Sequence, residues 1–437
     1  MGGSFRPNYT DTPEPPLSPT KKITLIIIKT SLLIPGDGEP IKDAALVISS
    51  KVIAWIGSRS SLPSEYTDSP HRSYSVPYLM PGLWDCHAHF GGDSPNEDGG
   101  NDPYQSFITE HPAACGARLT RGCWLALQRG YTSLRDVAGL GCEVSRAIED
   151  GSIVGPNVYS SGACLSQLAG HFGTGPSIIV DGVDECRRAV RLQIRRGAKC
   201  IKLMASGGVM SRDDNPLYAQ FSAAELETIV EEATRQNRVV AAHVHGKPGI
   251  MAAIKAGVTT LEHVSFADRE CIDLIKEKGI IYIATRLVMD MLLSTGGKGI
   301  PPTAWEKVKL CATNHMVAYR MAIESGVQVA LGTDTPPGFN MAKELESAVK
   351  TGMSNLEAIK AATANGPLSV GGQAPKTGQL KVGYEADVIG LLENPVEDVR
   401  VLQKLENIGW VWKGGKIFKG PGVGPWGEDP DIWGICR

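Results

Sequence analysis

Five of the nine histidines fall in three short apolar runs: His87 and His89 in WDCHAHF (84–90), His243 and His245 in VVAAHVH (239–245), and His263 in TTLEHV (259–264). On a strand, residues two apart share a face. His87 and His89 therefore face one way together with Asp85, and Cys86 and Ala88 the other. Two imidazoles on one face are suitable ligands for a divalent metal ion. A single H-x-H pair is a weak motif, and satisfied polar residues explain it as well. The weight comes from repetition at three strand ends, joined by a carboxylate, Asp334, in LGTDTPP. His243 and His245 also share a face. Either both bind metal, or one does while the other meets substrate or an ordered water. His71, His111 and His315 fall outside the pattern and read as surface or structural residues.

Lys202 lies between Ile201 and Leu203 in CIKLMAS (200–206), inside another apolar run. Lysine is seldom fully buried unless it is paired or used. Burial disfavours the ammonium and leaves a neutral amine. Such an amine can add carbon dioxide and become a carbamate, an anionic oxygen pair able to bridge two metal ions. A salt bridge to Asp136 or Glu262 accounts for the same residue types equally well.

The elements that must position these side chains alternate. Strand patterns occur at 84–90, 132–137, 157–162, 200–206, 239–245, 259–264, 281–286 and 329–334, with helical patterns such as DECRRAVRLQIRRGA and SAAELETIVEEATRQN between and after them. Several helices end in Gly before the next strand, a helix stop signal. Eight strands alternating with helices predict an α/β fold, a (β/α)8 TIM barrel over 81–370, whose functional residues gather at the C-terminal strand ends. A doubly wound open sheet is the alternative. The absence of G-x-G-x-x-G in the first βα turn weighs against it. Both chain ends read as strands: ITLIIIKTSLLI and ALVISSKVIAWIGS at one, EADVIGLL and GWVWKGGKIFKG at the other. Neither end suffices for a sheet alone. Residues 22–80 plus 371–437 are expected to form one composite β-sandwich domain, with 1–21 a disordered tail.

Composition sets the class of partner. The 437 residues carry a net charge of −3 and no block of basic residues, which argues against nucleic acid. Ten cysteines without a C-x-x-C pair read as reduced thiols. No apolar run is long enough to cross a membrane, so no membrane partner is expected. The N-terminal MGGSFRPNYTDTPEPP lacks a secretory pattern, which predicts a cytoplasmic protein.

The runs MPGLWDCHAHFGG, KLMASGGVMSRDDNP, AHVHGKPGIMAAIKAG, EHVSFAD and ALGTDTPPG resemble the amidohydrolase superfamily, in particular fungal amidases allied to its metal-dependent dipeptidases. The resemblance covers nearly the whole chain. It implies two divalent ions, zinc by preference. His87, His89 and Asp334 would hold one, His243 and His263 the other, and carboxylated Lys202 would bridge them. Asp334 would act as general base and then acid, and His245 would meet the substrate or the oxyanion. Asp85 would support a ligating histidine. The implied partner is a small-molecule amide or dipeptide with a free carboxylate, and the implied assembly a homo-oligomer. His171, Arg212, Tyr218 and Arg286 are candidate substrate contacts, Arg286 foremost for a carboxylate. Pairing of both arginines with acidic neighbours such as Asp213 and Asp214 accounts for them equally well. One departure stands out: the relatives carry a longer excursion between the positions of His171 and Gly175, which puts substrate range and stability in question. A cyclic amide hydrolase or a deaminase would use similar ligands. A scaffold without catalysis is disfavoured because every ligand is present.

Overall fold

The protein is described here from a computed structural model covering residues 25–91, 111–173, 175–211 and 214–427. The tail at 1–21 and Arg212 lie outside the described residues. The β-branched N-terminal runs form β1 (Leu25–Leu33), β2 (Ile41–Ser49), β3 (Val52–Ser58) and β4 (His71–Pro81). The β2–β3 turn places Ser50 at φ 57°, the left-handed position a tight hairpin requires.

The middle of the chain then alternates. Strands β5 (Leu83–Ala88), β6 (Tyr131–Asp136) and β7 (Asn157–Ser160) form a parallel three-stranded sheet. Strands β8 (Cys164–Ser166), β9 (Ser177–Ile179), β10 (Cys200–Met204), β11 (Val239–Val244), β12 (Thr260–His263) and β13 (Ile281–Ile283) form a parallel six-stranded sheet in the order β13-β12-β11-β10-β8-β9. Parallel neighbours need crossover connections, and helices supply them. The helix Val183–Arg196 stops at Gly197 in the left-handed conformation, and the helix Lys247–Ala256 at Gly257. Ser222 and Glu225 form a capping box at the start of the helix Ala223–Arg235.

The stretch 329–334 forms no regular strand, contrary to the sequence pattern. It contributes parallel bridges from Val329 to Tyr282 and, just beyond, from Thr335 to Ala88. The backbone turns away at Asp334, where φ is 60°. The segment still links the two parallel sheets: the Cys86 amide donates to the Leu331 carbonyl and the Asp334 amide to the His87 carbonyl. On the other side, the Lys199 amide ahead of β10 donates to the Ser160 carbonyl of β7.

The chain returns through β14 (Val388–Leu391), β15 (Ile408–Lys413) and β16 (Lys416–Lys419). The turn at Gly414 and Gly415 has φ of 53° and 74°, a double left-handed turn that suits two glycines. Strands of both ends join one mixed seven-stranded sheet, β16-β15-β14-β4-β1-β2-β3. Alternation divides its side chains. Ile28, Ile48, Val388 and Trp412 pack into a core of the sheet's own, whereas Ile389, Leu391, Ile408 and Val411 join the large core of the parallel sheets and helices. Among the described residues no helix is long and apolar enough to cross a membrane.

Candidate metal centre

The C-terminal ends of β5, β10, β11 and β12 converge on one cluster. Ring centroids lie 5.3 Å apart for His87 and His89, 5.0 Å for His87 and His263, 4.6 Å for His243 and His263, and 5.1 Å for His245 and His263. His87, His89 and Asp334 each offer a ligand atom, all within 4.8 Å of one another. Asp334 Oδ1 stands 2.9 Å from His89 Nε2 and 3.6 Å from His87 Nε2.

Each of four rings has one nitrogen beside an acceptor, which fixes the tautomer. His87 Nδ1 faces Glu262 Oε2 at 2.7 Å, and His89 Nδ1 faces the Ala138 carbonyl at 3.1 Å. His243 Nε2 faces the Gly207 carbonyl at 3.3 Å. His263 Nδ1 lies 2.7 Å from Thr285 Oγ1, whose own proton goes to the Ala284 carbonyl. In His87, His243 and His263 the second nitrogen then keeps a lone pair, the form that binds a metal with its partner nitrogen held from outside, whereas His89 Nε2 donates to the Asp334 carboxylate. His245 Nδ1 meets the Ser265 hydroxyl at 2.7 Å, a partner able to donate or accept.

The electrostatics agree with this geometry. Burial lowers the pKa of His87 to about 4 and of His245 to about 3, and holds His243 and His263 well below the usual imidazole range. All four are therefore neutral near pH 7. Burial also lowers the pKa of Lys202, which is 1% exposed on β10. Burial tends to raise the Asp334 carboxyl, but the electrostatic influence of the neighbouring His87 and His89, the latter hydrogen-bonded to it, outweighs burial and holds it down; the same contact raises the pKa of His89 against the effect of burial. Backbone strain concentrates at the same strand ends: His263, Thr285 and Asp334 have φ of 68°, 54° and 60°. Side-chain-bearing residues adopt that region rarely, and functional sites are where it recurs.

Among the described residues neither Asp136 nor Glu262 lies within ion-pair distance of the Lys202 ammonium. Asp136 accepts from the amides of Phe90, Ala138 and Gly141 and from the Ser160 hydroxyl. Glu262 is held between His87 and Arg135. The Glu262 carboxyl stays ionised because Arg135 and His87 overcome the opposing effect of burial.

The remaining expected site residues are dispersed. Asp85 binds the His87 amide at 3.0 Å and the Thr333 hydroxyl at 2.6 Å, so the ring partner of His87 is Glu262 instead. His171 is buried and stacks on His243 at 4.4 Å, and its Nδ1 lies 3.3 Å from Asp214 Oδ2. Asp214 is in turn gripped by Lys307. A Cβ at Gly208 would lie 2.1 Å from the His171 ring, so only glycine fits there. Tyr218 is 68% exposed. Arg286 opens the helix Arg286–Ser294 rather than closing a strand, and its guanidinium is engaged by Asp290 and the Ala312 carbonyl. His315 is buried against the Ala284 carbonyl, while His71 and His111 are exposed. Sequence patterns did not single out Arg135, Thr285 or Ser265. The only hint was a basic residue in the apolar run TSLRDV and hydroxyls just beyond strand ends.

Residues 78–418 match the amidohydrolase family. The chain belongs to the amidohydrolase family. It is a hydrolase of amide bonds, and this family works with divalent metal ions. The chain is 60% identical to the ochratoxinase of Aspergillus niger over 438 aligned positions, which cover 94% of this chain and 90% of that one. The crystal structure of that A. niger ochratoxinase superposes with a TM-score of 0.90 at 59% identity, covering 95% of this amidohydrolase and all of the other chain. A Xaa-Pro dipeptidase with methionine bound in its active site superposes with a TM-score of 0.81 at 27% identity, covering 91% and 100% of the two chains.

Proposed function

We propose that this chain is a binuclear metal-dependent amidase that releases an amino acid with a free carboxylate from an acyl or aryl amide, ochratoxin A among its substrates. The observation that carries the reading is the cluster of four rings, His87, His89, His243 and His263, each with one nitrogen held from outside, in which ligand atoms of His87 and His89 gather with Asp334 at a common point. His87, His89 and Asp334 would hold one ion and His243 and His263 the other. Lys202, its pKa lowered by burial and without a carboxylate partner among the described residues, would be carboxylated and shared by both. The two parallel sheets are read as arcs of one (β/α)8 barrel, joined through 329–335 and through Ser160, beside a composite β domain. Zinc as the metal and a homo-oligomeric assembly complete the proposal.

Two divalent ions held there would supply Lewis-acid activation of the water and of the amide carbonyl. The chain does the rest. Asp334 takes the proton of the attacking water at its carboxylate and passes it to the leaving nitrogen. His245, set by Ser265, offers its Nε2 to the oxygen on which charge develops. His171, anchored by Asp214, bounds the substrate space beside His243. Each Arg286 guanidinium nitrogen already has a partner, so the substrate carboxylate would fall to His171 or Tyr218, with Arg212 kept as a candidate from sequence alone.

Metal analysis combined with an activity screen tests the reading. The expected result is two ions per chain and hydrolysis of ochratoxin A and N-acyl-phenylalanines, lost on chelation. A Lys202→Ala variant fully active with a single ion would instead assign the chain to mononuclear, deaminase-type chemistry.

A further inference from the structure

Arg135 is fully buried beneath the histidine cluster, and every part of its guanidinium is engaged there. Its Nη2 lies 2.7 Å from Glu262 Oε1, and Glu262 Oε2 lies 2.7 Å from His87 Nδ1. Its Nε donates to the carbonyl of Cys86, the residue before His87. Its Nη1 donates to Thr260 Oγ1 at 3.1 Å and to the Ser369 carbonyl at 3.2 Å. The Thr260 hydroxyl donates to Glu262 Oε1. One guanidinium on β6 thus fixes the peptide before His87 and, through a carboxylate on β12, the His87 ring on β5.

Stability alone is a poor reason for this arrangement. Desolvating two charges offsets most of their attraction, and apolar side chains of the same volume serve a core as well. An apolar pair would, however, leave His87 free to rotate or to change tautomer. We propose that Arg135 and Glu262 are positioning residues that clamp His87 as a metal ligand, with the proton on Nδ1 and the Nε2 lone pair turned toward Asp334. The carboxylate also makes the imidazole a stronger donor, and Arg135 keeps that carboxylate from being buried unpaired. The clamp rests on the metal reading above.

The test is titration of chelator-treated protein with Co2+, following uptake and the visible spectrum of the bound ion. Wild type is expected to take up two ions. Glu262→Gln is expected to lose roughly 10–100-fold in affinity for one of them and to change its spectrum, with the other ion unaffected. Arg135→Lys keeps the charge but not the fork, and is expected to show the same selective loss, so it serves should Glu262→Gln fail to fold. Unchanged affinity and spectrum in a folded variant would overturn the clamp, even if its metal-free melting temperature fell. Wild type that takes up no Co2+ would overturn the metal reading, and the clamp with it, before any variant is measured.

Discussion

Lys202 shows how far a residue can be read in isolation. Its burial was apparent from Ile201 and Leu203, but its partner was not, because Asp136 and Glu262 looked equally available. Only the fold shows both carboxylates committed elsewhere. Lys202→Arg is therefore expected to lower the metal content from two ions per chain to one or fewer, since a guanidinium keeps the charge but forms no carbamate. Elemental analysis of the purified variant checks this, and two retained ions would refute it. The buried imidazoles give a second expectation. Unfolded histidines bind protons near pH 6.5, whereas folded His87 does so only near 4 and His245 near 3. Between those values the unfolded chain holds more protons, so the metal-free protein loses stability as pH falls from about 6.5 to 4. For His87 the full loss is about 3 kcal/mol. Urea unfolding at pH 7, 5 and 4 reads it, and constant stability across that window would contradict it.

At the scale of elements, the histidine-bearing strands were readable because period-two alternation holds along β5 and β11. It fails at the end of β12 and in the 329–335 segment. His263 and Asp334 leave extended geometry with positive φ, so alternation could not say where either side chain points. The same departure reduced the expected strand at 329–334 to single bridges, and moved Arg286 from a strand end to a helix start. The place of Glu262 beside His87, rather than Lys202, is hidden from the sequence for a related reason: its partner lies 175 residues away. Gly332 marks how closely the 329–335 segment approaches β5. A Cβ there would lie 2.6 Å from His87 Cβ and 2.7 Å from its nitrogen. Gly332→Ala is expected to cost roughly 1–3 kcal/mol and to lower metal content with it. Thermal melting and metal analysis check both, and a wild-type result in each would show that the segment yields without moving His87.

At the scale of the molecule, both chain ends share one sheet, with β14 hydrogen-bonded between β4 and β15. Strand-rich ends suggested this joining from sequence, whereas the order of the strands depends on long-range pairing that no local pattern encodes. Trp412 is fully buried in the core of that sheet and meets Tyr74 edge-on at 5.4 Å. Trp412→Ala is expected to destabilise the chain by roughly 3–5 kcal/mol in urea unfolding while leaving the metal content of folded protein unchanged. A loss of bound metal in the folded variant would mean that the sheet governs the site directly. The central claim concerns the whole chain as a two-metal amidase. Its most direct test measures metal content and amide hydrolysis on one preparation, before chelation, after chelation and after zinc is restored. The account predicts two ions per chain, with release of phenylalanine from ochratoxin A or N-acyl-phenylalanines lost and regained with them. A fully metalled protein inert toward ochratoxin A, acyl-phenylalanines and dipeptides would contradict it.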